Sequence, residues 1–330
     1  MSDLFDALGD APRLILDARM EPSVGSTFQP TGFPNLGAAR YRRPDGSEAL
    51  LVESVQSLAN HLEAVGWDAP ARKPTPALAG LPHVEVLARD DDTFLASSRT
   101  EPHRLASAYV RNAISDDGER GIDWTTRRLG LVKGRPIDYP AVYRAVFDLD
   151  PLALIHGVFF SDEGYPGNPK VRRVTTAVLE ADGVEEVVSG GVKRDDVAVK
   201  TDAATGQTAK EGYGFVPFGR TEFTARRMTL SASVDLAQVR GYGLPDVAQR
   251  LLVLIAVWEL RSLLDSPLRL RTRCDLDAVE VTVRRPDSLG EVPPLDDLAE
   301  ALEEAVRRVK LEQEGPWTLH WAPGKGVSTE

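Results

Sequence analysis

Three arginines alternate with other residues in the segment LRLRTRC, at positions 269, 271 and 273. If this segment is a β-strand, successive side chains point to opposite faces, so Arg269, Arg271 and Arg273 project from one face. Guanidinium groups bind phosphate oxygens through paired hydrogen bonds. The spacing therefore predicts a row of cations for a phosphate backbone. The alternative is a solvated edge strand whose arginines pair with acidic neighbours such as Glu280.

A second candidate for phosphate binding is the segment GSTFQPTGFPNLG at residues 25–37, which follows the apolar run RLILDARMEP. Its glycines allow backbone N–H groups to approach a phosphate closely. The same composition also makes an ordinary long turn, and the residues alone leave both interpretations open. The candidate contacts are Gly25, Ser26, Thr27, Gln29 and Thr31.

Aromatic residues among glycines and cations characterise the stretch 188–223. On a projecting hairpin they could stack on unpaired bases, at about 1 to 3 kcal/mol for each base. The alternative is a flap whose aromatic residues fill their own small core. The residues concerned are Tyr213, Phe215 and Phe218, with Lys193, Arg194 and Arg220 nearby.

The sequence contains none of the short motifs of several enzyme classes. The G-x-S-x-G elbow, the H-E-x-x-H zinc helix and the phosphate-binding loop G-x-x-x-x-G-K-[ST] are absent. The five histidines lack ligand spacing, and a single cysteine, Cys274, excludes both an intramolecular disulfide and a cysteine-cluster zinc site. We therefore expect no catalysis, no metal site and no cofactor.

Charge and hydropathy restrict the partners. The 330 residues carry a formal net charge of -11, which argues against a duplex DNA-binding protein with a basic surface but permits a local basic groove. The longest apolar run, at 251–258, is shorter than the roughly 20 residues that a membrane span requires. The N-terminal sequence lacks the features of a secretory signal. We expect a cytoplasmic protein without a membrane partner.

Apolar periodicity predicts the elements that position these residues. Strand one, at about 13–22, precedes the glycine-rich loop, and a helix at 53–67 follows it with Gln56 and Asn60 on its polar face. Two irregular stretches, at 68–150 and 188–223, interrupt the pattern. The other predicted elements are paired strands at 152–161 and 171–181, a strand at 228–236, a buried helix at 245–265, a strand at 268–276 and a last helix at 294–312.

Without the two irregular stretches, the order of elements approximates the βαββαβ, ferredoxin-like plan. In this plan the helices cover one face of the sheet and leave the other free. In RNA-recognition modules of this plan, the free face and its loops contact single strands. The sequence therefore predicts an α+β fold with a surface suited to single-stranded nucleic acid.

Six segments carry a family resemblance: GSTFQPTGFPNLGAARYRRPDG, LLVESVQSLANHLE, SGGVKRD, EGYGFVPFGRTEFTA, DLAQVRGYGL and LRLRTRCDLD. None is a catalytic signature, but they occur in order over most of the chain. Together they resemble the backbone subunit of type I CRISPR effector (Cascade) complexes. The branch is type I-U or I-G, whose subunit is the Cas-seven (Csb-one) RAMP protein.

This resemblance implies a modified RNA-recognition palm of the RAMP type, with inserted helical fingers and a β-hairpin thumb. The implied divisions are palm at 1–67, 151–187 and 224–330, fingers at 68–150 and thumb at 188–223.

The function that the resemblance implies is that of a non-catalytic RNA-binding subunit. Copies would stack head to tail along the guide crRNA into a helical filament, and the target DNA strand would pair with the crRNA. Other CRISPR effector subunits would be further partners in this antiviral complex.

The resemblance also implies positions for the RNA contacts. They lie in the loop after strand one, on the polar face of the following helix, in the thumb and on the palm. The residues are Gly25, Ser26, Thr27, Gln29 and Thr31; Gln56 and Asn60; Lys193, Arg194, Phe215, Phe218 and Arg220; and Arg269 and Arg271.

Two alternative functions remain at this point. RAMP relatives include RNA-cleaving enzymes, and Asp45 lies in a corresponding loop, although its RPDGSE context is typical of a plain turn. The second alternative is a structural protein that binds no nucleic acid, which an unbroken acidic surface would favour.

Overall fold

The alternation of residues in RLILDARMEP determines how the first strand packs. Successive side chains of a strand point to opposite faces, so an apolar residue at every second position gives one face that is buried. In the computed structural model, this segment is a strand over Arg13–Pro22. Its buried residues are Leu14, Leu16, Ala18 and Met20.

The structure describes residues 2–33, 36–193, 208–211, 214 and 216–321. Tyr213, Arg194 and Phe215 of the predicted thumb therefore lie outside the described residues. The strands in the described part of the chain are β1 Arg13–Pro22, β2 Gly32–Phe33, β3 Gly37–Ala38, β4 Arg40–Arg42, β5 Glu48–Glu53, β6 Trp67–Asp68, β7 Lys73–Pro74, β8 His83–Ala88, β9 Phe94–Ser97, β10 Val158–Phe159, β11 Lys170–Val171, β12 Thr175–Asp182, β13 Glu185–Lys193, β14 Val216–Thr224, β15 Arg227–Asp235, β16 Leu268–Arg271, β17 Cys274–Arg285 and β18 Pro316–Trp321. The helices there are α1 Ser2–Leu8, α2 Val55–Ala64, α3 Ala108–Asn112, α4 Gly121–Arg128, α5 Tyr139–Leu149, α6 Leu152–His156, α7 Leu236–Gly241, α8 Asp246–Asp265 and α9 Leu295–Arg308.

The main sheet is antiparallel and has the order β16-β17-β1-β15-β12-β5-β4 within the described residues. Helix α2 lies between β1 and β12 in the chain, and α8 lies between β15 and β17. The central order β17-β1-β15-β12 is the one that two interleaved βαβ units produce. The structure is thus a mixed α/β fold on an antiparallel sheet, in agreement with the predicted class.

Helices α2 and α8 cover one face of this sheet. Almost every residue of α8 from Leu251 to Leu264 is buried, because the helix is apolar nearly all round. On the opposite face, charged side chains pair with one another. Arg19 lies 3.3 Å from Glu280, and Arg284 lies 3.4 Å from Asp17. Part of the charge on the open face is therefore compensated within the sheet.

Strands β13 and β14 form a separate two-stranded hairpin between β12 and β15. They pair from Glu185 and Thr224 at its base to Lys193 and Val216. Val188 is 84% exposed and Phe218 is 44% exposed. The hairpin therefore presents apolar side chains to solvent.

The segment after α2 contains strands that the sequence analysis did not predict. Strand β8 pairs with β9 and, in parallel, with β18 near the end of the described chain. Trp317 of β18 donates a hydrogen bond from its indole nitrogen to the carbonyl of Asp148, at 3.0 Å. This second sheet ties residues 83–149 to the C-terminal part of the protein.

The predicted strand at 152–161 is wrong. Residues Leu152–His156 form helix α6, and only Val158 and Phe159 pair with β11. All five residues of α6 are buried, so the run has no polar face to distinguish a strand from a helix. Asp150, just before the helix, accepts a hydrogen bond from the backbone N–H of Leu152 at 3.1 Å.

Buried charged pairs connect the inserted segment and helix α6 to the core helices. Arg104 donates two hydrogen bonds to Glu63 of α2, at 2.5 and 2.6 Å, and a third to the carbonyl of Gly157. His156 of α6 lies 3.0 Å from Glu259 of α8, and both side chains are completely buried. A buried guanidinium or carboxylate needs its partner, because solvation by water is lost.

We expect Glu63→Ala to lower the free energy of unfolding by about 3 to 5 kcal/mol, because Arg104 would remain buried without its carboxylate. Denaturant unfolding measures this effect. The control is Glu303→Ala, which removes an exposed partner of Arg307 and should cost less than about 0.5 kcal/mol. Equal midpoints for the two variants would contradict the structural role of the buried pair.

The His156–Glu259 pair predicts a pH dependence. Burial alone would lower the pKa of His156, but the Glu259 and Glu63 carboxylates outweigh it and raise the pKa above 6.5. The stability from this pair is therefore fully present below about pH 6.5 and is lost as the pH rises through the folded-state pKa. Histidine NMR titration should give His156 a midpoint above 6.5, whereas burial places that of His61 below 6.5. A His156 midpoint at or below 6.5 would refute this assignment.

Candidate functional site

The loop after β1 is anchored on the base of the β13–β14 hairpin. Phe28 is 1% exposed, and its backbone exchanges two hydrogen bonds with Phe223 of β14, at 2.8 and 2.9 Å. The two rings also pack together, with centroids 6.4 Å apart. Burial of Phe28 therefore fixes the loop from its middle, with Gly25 and Ser26 exposed on one side.

The predicted arginine strand at 268–276 is wrong, because the chain reverses within it. Arg271 of β16 pairs with Cys274 of β17, and Thr272 and Arg273 form the turn between them. Arg273 has a φ of 64°, in the left-handed region. Arg269, Arg271 and Arg273 consequently do not form one row. Neither turn residue is a glycine or asparagine, so the sequence gives no signal for this turn.

Glu222 of β14 gathers side chains from three elements. Its carboxylate accepts hydrogen bonds from the Thr27 hydroxyl at 2.8 Å and from Arg273 at 3.2 Å. Arg220 approaches it at 3.5 Å. The hydrogen bonds from Arg273, and then those from Thr27 and Arg220, lower the pKa of Glu222 although burial opposes them. The carboxylate therefore holds the loop, the hairpin and the β16–β17 turn together.

Arg271 joins the same loop to the start of α2. Its guanidinium donates to the carbonyls of Gln29 at 3.0 Å and Val52 at 3.2 Å, and forms an ion pair with buried Glu53. Three partners thus occupy the guanidinium. Arg271 positions the loop, and its charge is compensated within the protein.

An open cleft of about 820 Å³, here called the loop cleft, lies between this loop and the hairpin. Arg40 extends along it, 2.6 Å from Glu186 and with its guanidinium 5.0 Å from the centre of the Phe223 ring. The side-chain oxygen of Gln29 is buried at its wall and has no hydrogen-bond partner among the described residues. The polar and charged residues that line the cleft are Gln29, Thr31, Arg40, Glu186, Arg220, Thr221 and Arg271.

Of the predicted contacts, Gln29, Thr31, Arg220 and Arg271 meet in the loop cleft. Gln56 instead lines a second cleft beside Arg173, which donates a hydrogen bond to its side-chain oxygen. The Gln56 amide also donates to Asn60, at 3.4 Å.

The other described candidates lie outside the loop cleft. Lys193 and Phe218 lie farther out on the hairpin, and the Arg220 guanidinium is 5.7 Å from the centre of the Phe218 ring. Arg269 has a side-chain exposure of 76% and lies 3.5 Å from Asp275.

Sequence reasoning missed the acids that neutralise the arginines. Glu53, Glu186 and Glu222 each pair with an arginine of the loop cleft, namely Arg271, Arg40 and Arg220. One signal was available: Glu222 follows Arg220 by two residues on a strand, so both side chains lie on one face. The other pairs, such as Arg271 with Glu53, join residues far apart in the chain. No local pattern in the sequence could therefore reveal them.

Neither a metal site nor a spanning helix is found where the structure describes the chain. Within the described ranges, no three histidine, cysteine, aspartate or glutamate side chains come together as ligands would. No helix among these residues is long and apolar enough to cross a membrane. Asp45 accepts hydrogen bonds from the backbone and hydroxyl of Ser47, at 2.9 and 2.7 Å, as in an ordinary Asx turn.

We expect Glu222→Ala to lower the free energy of unfolding by about 2 kcal/mol at pH 7, because it removes charge-assisted hydrogen bonds from a buried carboxylate. The depressed pKa means that this stabilisation is present above the ordinary value of 4.5 and is lost as the pH falls through the folded-state pKa. The difference from the unmodified protein should therefore shrink as the pH falls below 4.5. Glu186→Ala, which removes an exposed partner, is the control. If the loss of unfolding free energy in Glu222→Ala is the same at acid pH as at pH 7, the Glu222 carboxylate is not its cause.

Comparisons with known proteins give one family match. The model of a family described as CRISPR-associated protein GSU0053 matches residues 14–186, more than half of the chain. A search of curated protein sequences gives no match.

Two solved structures resemble the fold weakly. One is described as a CRISPR RNA-guided surveillance complex, pre-nicking, with 11% identity, a TM-score of 0.39, and coverage of 76% of this chain and 69% of that chain. The other is Csc2 of Thermofilum pendens, with 9% identity, a TM-score of 0.31, and coverage of 94% and 80%.

The family match confirms the CRISPR association that the six sequence segments indicated. Its range includes the glycine-rich loop and β4, which line one side of the loop cleft. The lining residues of β14 and β16 lie beyond the matched range. The chain belongs to the GSU0053 family of CRISPR-associated proteins.

Proposed function

We propose that this protein is a non-catalytic backbone subunit of a type I CRISPR interference complex and that it binds the guide crRNA. The observation that carries the proposal is the loop cleft, where a glycine- and hydroxyl-rich loop is clamped against the hairpin base beside Arg40 and Arg220. Family membership supports it. The main sheet would be the palm of a modified RNA-recognition fold, the inserted segment the fingers and the hairpin the thumb.

Arg40 and Arg220 are the cations best placed to contact phosphate. Their ion pairs are partly solvated, with side-chain exposures of 39% for Arg40 and 33% for Arg220. Exposed pairs contribute about 0 to 1 kcal/mol, so a phosphate can displace Glu186 from Arg40 at low cost. Glu222 is buried, but it keeps its hydrogen bonds from Thr27 and Arg273 when Arg220 turns to a phosphate. Arg271 and Arg273 would instead hold the loop in its binding conformation.

The unpartnered oxygen of Gln29 supports RNA as the ligand. A carbonyl oxygen accepts a hydrogen bond, and a ribose 2′-hydroxyl can donate one, whereas deoxyribose has no such group. Gly25 has a φ of 74°, and no atom lies within 4 Å of the place where the Cβ of a larger residue would be, so a strand could approach its backbone closely.

Assembly into a filament would use the exposed hairpin. Val188, Val192 and Phe218 are exposed apolar residues on it and would contact the next copy head to tail. A heterologous contact that does not close gives an open helix whose length the RNA limits. The target DNA strand would then pair with the crRNA, while the protein holds the backbone regardless of sequence.

The test is a fluorescence titration of the full chain with single-stranded RNA. Arg40→Ala and Arg220→Ala should each weaken binding about tenfold and reduce the slope of log affinity against log salt by about 0.7. The matched control is Arg308→Ala, an exposed arginine paired with Glu304 on α9. The same strand as DNA should bind more weakly, because it offers no donor to Gln29.

Light scattering with the same RNA tests the assembly. Large particles that ribonuclease converts to small ones would support a filament subunit. If the full chain fails to bind RNA at low salt, or if the Arg40 and Arg220 variants bind like the Arg308 control, RNA binding by the loop cleft is refuted.

A further inference from the structure

A second open cleft, of about 590 Å³, lies where the short β10–β11 ladder meets the start of α2. We call it the β10–β11 cleft. Four of its lining residues are cationic, in a protein with a net charge of -11. Its lining includes Gln56, Arg104, Phe159, Lys170, Arg172 and Arg173.

Charge compensation distinguishes this cleft from the loop cleft. Lys170 and Arg172 are exposed, and no carboxylate of the described chain lies within 4.0 Å of either as an ion-pair partner. Of the other two cations, Arg104 is neutralised by Glu63, while Arg173 donates to the carbonyl of His156 and to Gln56. In the loop cleft, by contrast, each arginine faces a glutamate. The β10–β11 cleft is therefore the more electropositive of the two.

The pKa of Arg173 reflects the charge around it in the β10–β11 cleft. Burial, and then the nearby charge of Arg104, lower the pKa of Arg173. Arg173 has no carboxylate within 4.0 Å among the described residues, so its charge adds to those of Lys170 and Arg172.

The cleft also contains an exposed aromatic ring. Phe159 is 49% exposed, and the ammonium group of Lys170 lies 5.6 Å from the centre of its ring. A solvent-exposed ring beside unpaired cations matches what single-stranded nucleic acid offers, namely a base to stack and a phosphate to pair. A free inorganic anion would need the cations but not the ring.

Lining residues of both clefts bind the backbone at the start of α2. Arg271 of the loop cleft donates to the carbonyl of Val52 at 3.2 Å, and Arg173 of the β10–β11 cleft donates to that of Val55 at 3.4 Å. Glu53 binds Arg271 at the loop cleft, and Gln56 lines the β10–β11 cleft only three residues later. Three residues span at most about 10 Å of chain. Ser54, which caps the positive end of the α2 dipole, lies between Glu53 and Gln56 in the chain. A single strand leaving the loop cleft could therefore continue into the β10–β11 cleft.

We propose that the β10–β11 cleft binds the continuation of the single strand that occupies the loop cleft. Lys170 and Arg172 pair with its phosphates, and Phe159 stacks on one of its bases. This inference rests on the proposed RNA-binding function, and it adds a second contact region that none of the sequence candidates except Gln56 touches.

The experiment is a titration of the full chain with a labelled single-stranded RNA at several salt concentrations. Lys170→Glu with Arg172→Glu should weaken binding at least about tenfold, and alanine at both positions should lower the salt slope by about 0.7 for each cation. The matched control is Lys133→Glu with Arg135→Glu, which makes the same charge change in an exposed loop. Phe159→Ala should weaken binding about five- to a hundredfold, and Tyr139→Ala, which truncates another exposed ring, should not.

The outcomes separate this inference from the proposed function. If the unmodified protein binds RNA and the Lys170/Arg172 variant binds like its control, the inference is overturned and the proposed function stands. If the unmodified protein binds no RNA, both are overturned. If the variant alters only the mass of RNA-free protein particles, the cleft is a contact between copies, and the inference is also overturned. Thermal unfolding of each variant verifies that these surface changes leave the fold intact.

Discussion

The candidate site depends on the hydrogen bonds that the Glu222 carboxylate accepts. It receives hydrogen bonds from Thr27 in the loop after β1 and from Arg273 in the β16–β17 turn. These elements are far apart in sequence, and a nearly buried anion with several donors brings them to one point, because an unpaired carboxylate there would be costly. The left-handed conformation of Arg273 is maintained by the same contacts. The packing of Phe28 on Phe223 adds the apolar part of this junction.

A second constraint is the burial of charge between the inserted segment and the core helices. The Arg104–Glu63 pair attaches the inserted segment to α2, and the His156–Glu259 pair attaches α6 to α8. A hydrophobic contact tolerates small displacements, whereas paired buried charges do not, because each polar atom must find its partner. These pairs consequently fix the position of the β10–β11 cleft relative to the first turn of α2. The two clefts are held by different ion pairs but share that one turn.

The distribution of charge reconciles an acidic protein with a phosphate ligand. Net charge describes the field at long range, while binding depends on the cations that line the binding site. Most arginines at the loop cleft and on the open sheet face pair with carboxylates of the same protein. Lys170 and Arg172 remain unpaired in the described structure. A local basic groove within an acidic surface is therefore physically consistent here.

The sequence by itself determined the periodic elements and the family. The alternation in β1 and β15, the apolar helix α8 and the amphipathic helix α9 all follow from residues close together in the chain, where side-chain period specifies the structure. The glycine-rich loop was likewise found from composition. Only the tertiary structure decided which arginines are free, since Arg271 and Glu53 are partners across more than two hundred residues. It also decided that residues 152–156 form a helix and that the chain turns at Thr272 and Arg273. A uniformly apolar run has no period, and that turn is stabilised by Gln29 and Glu222, which lie far away in sequence.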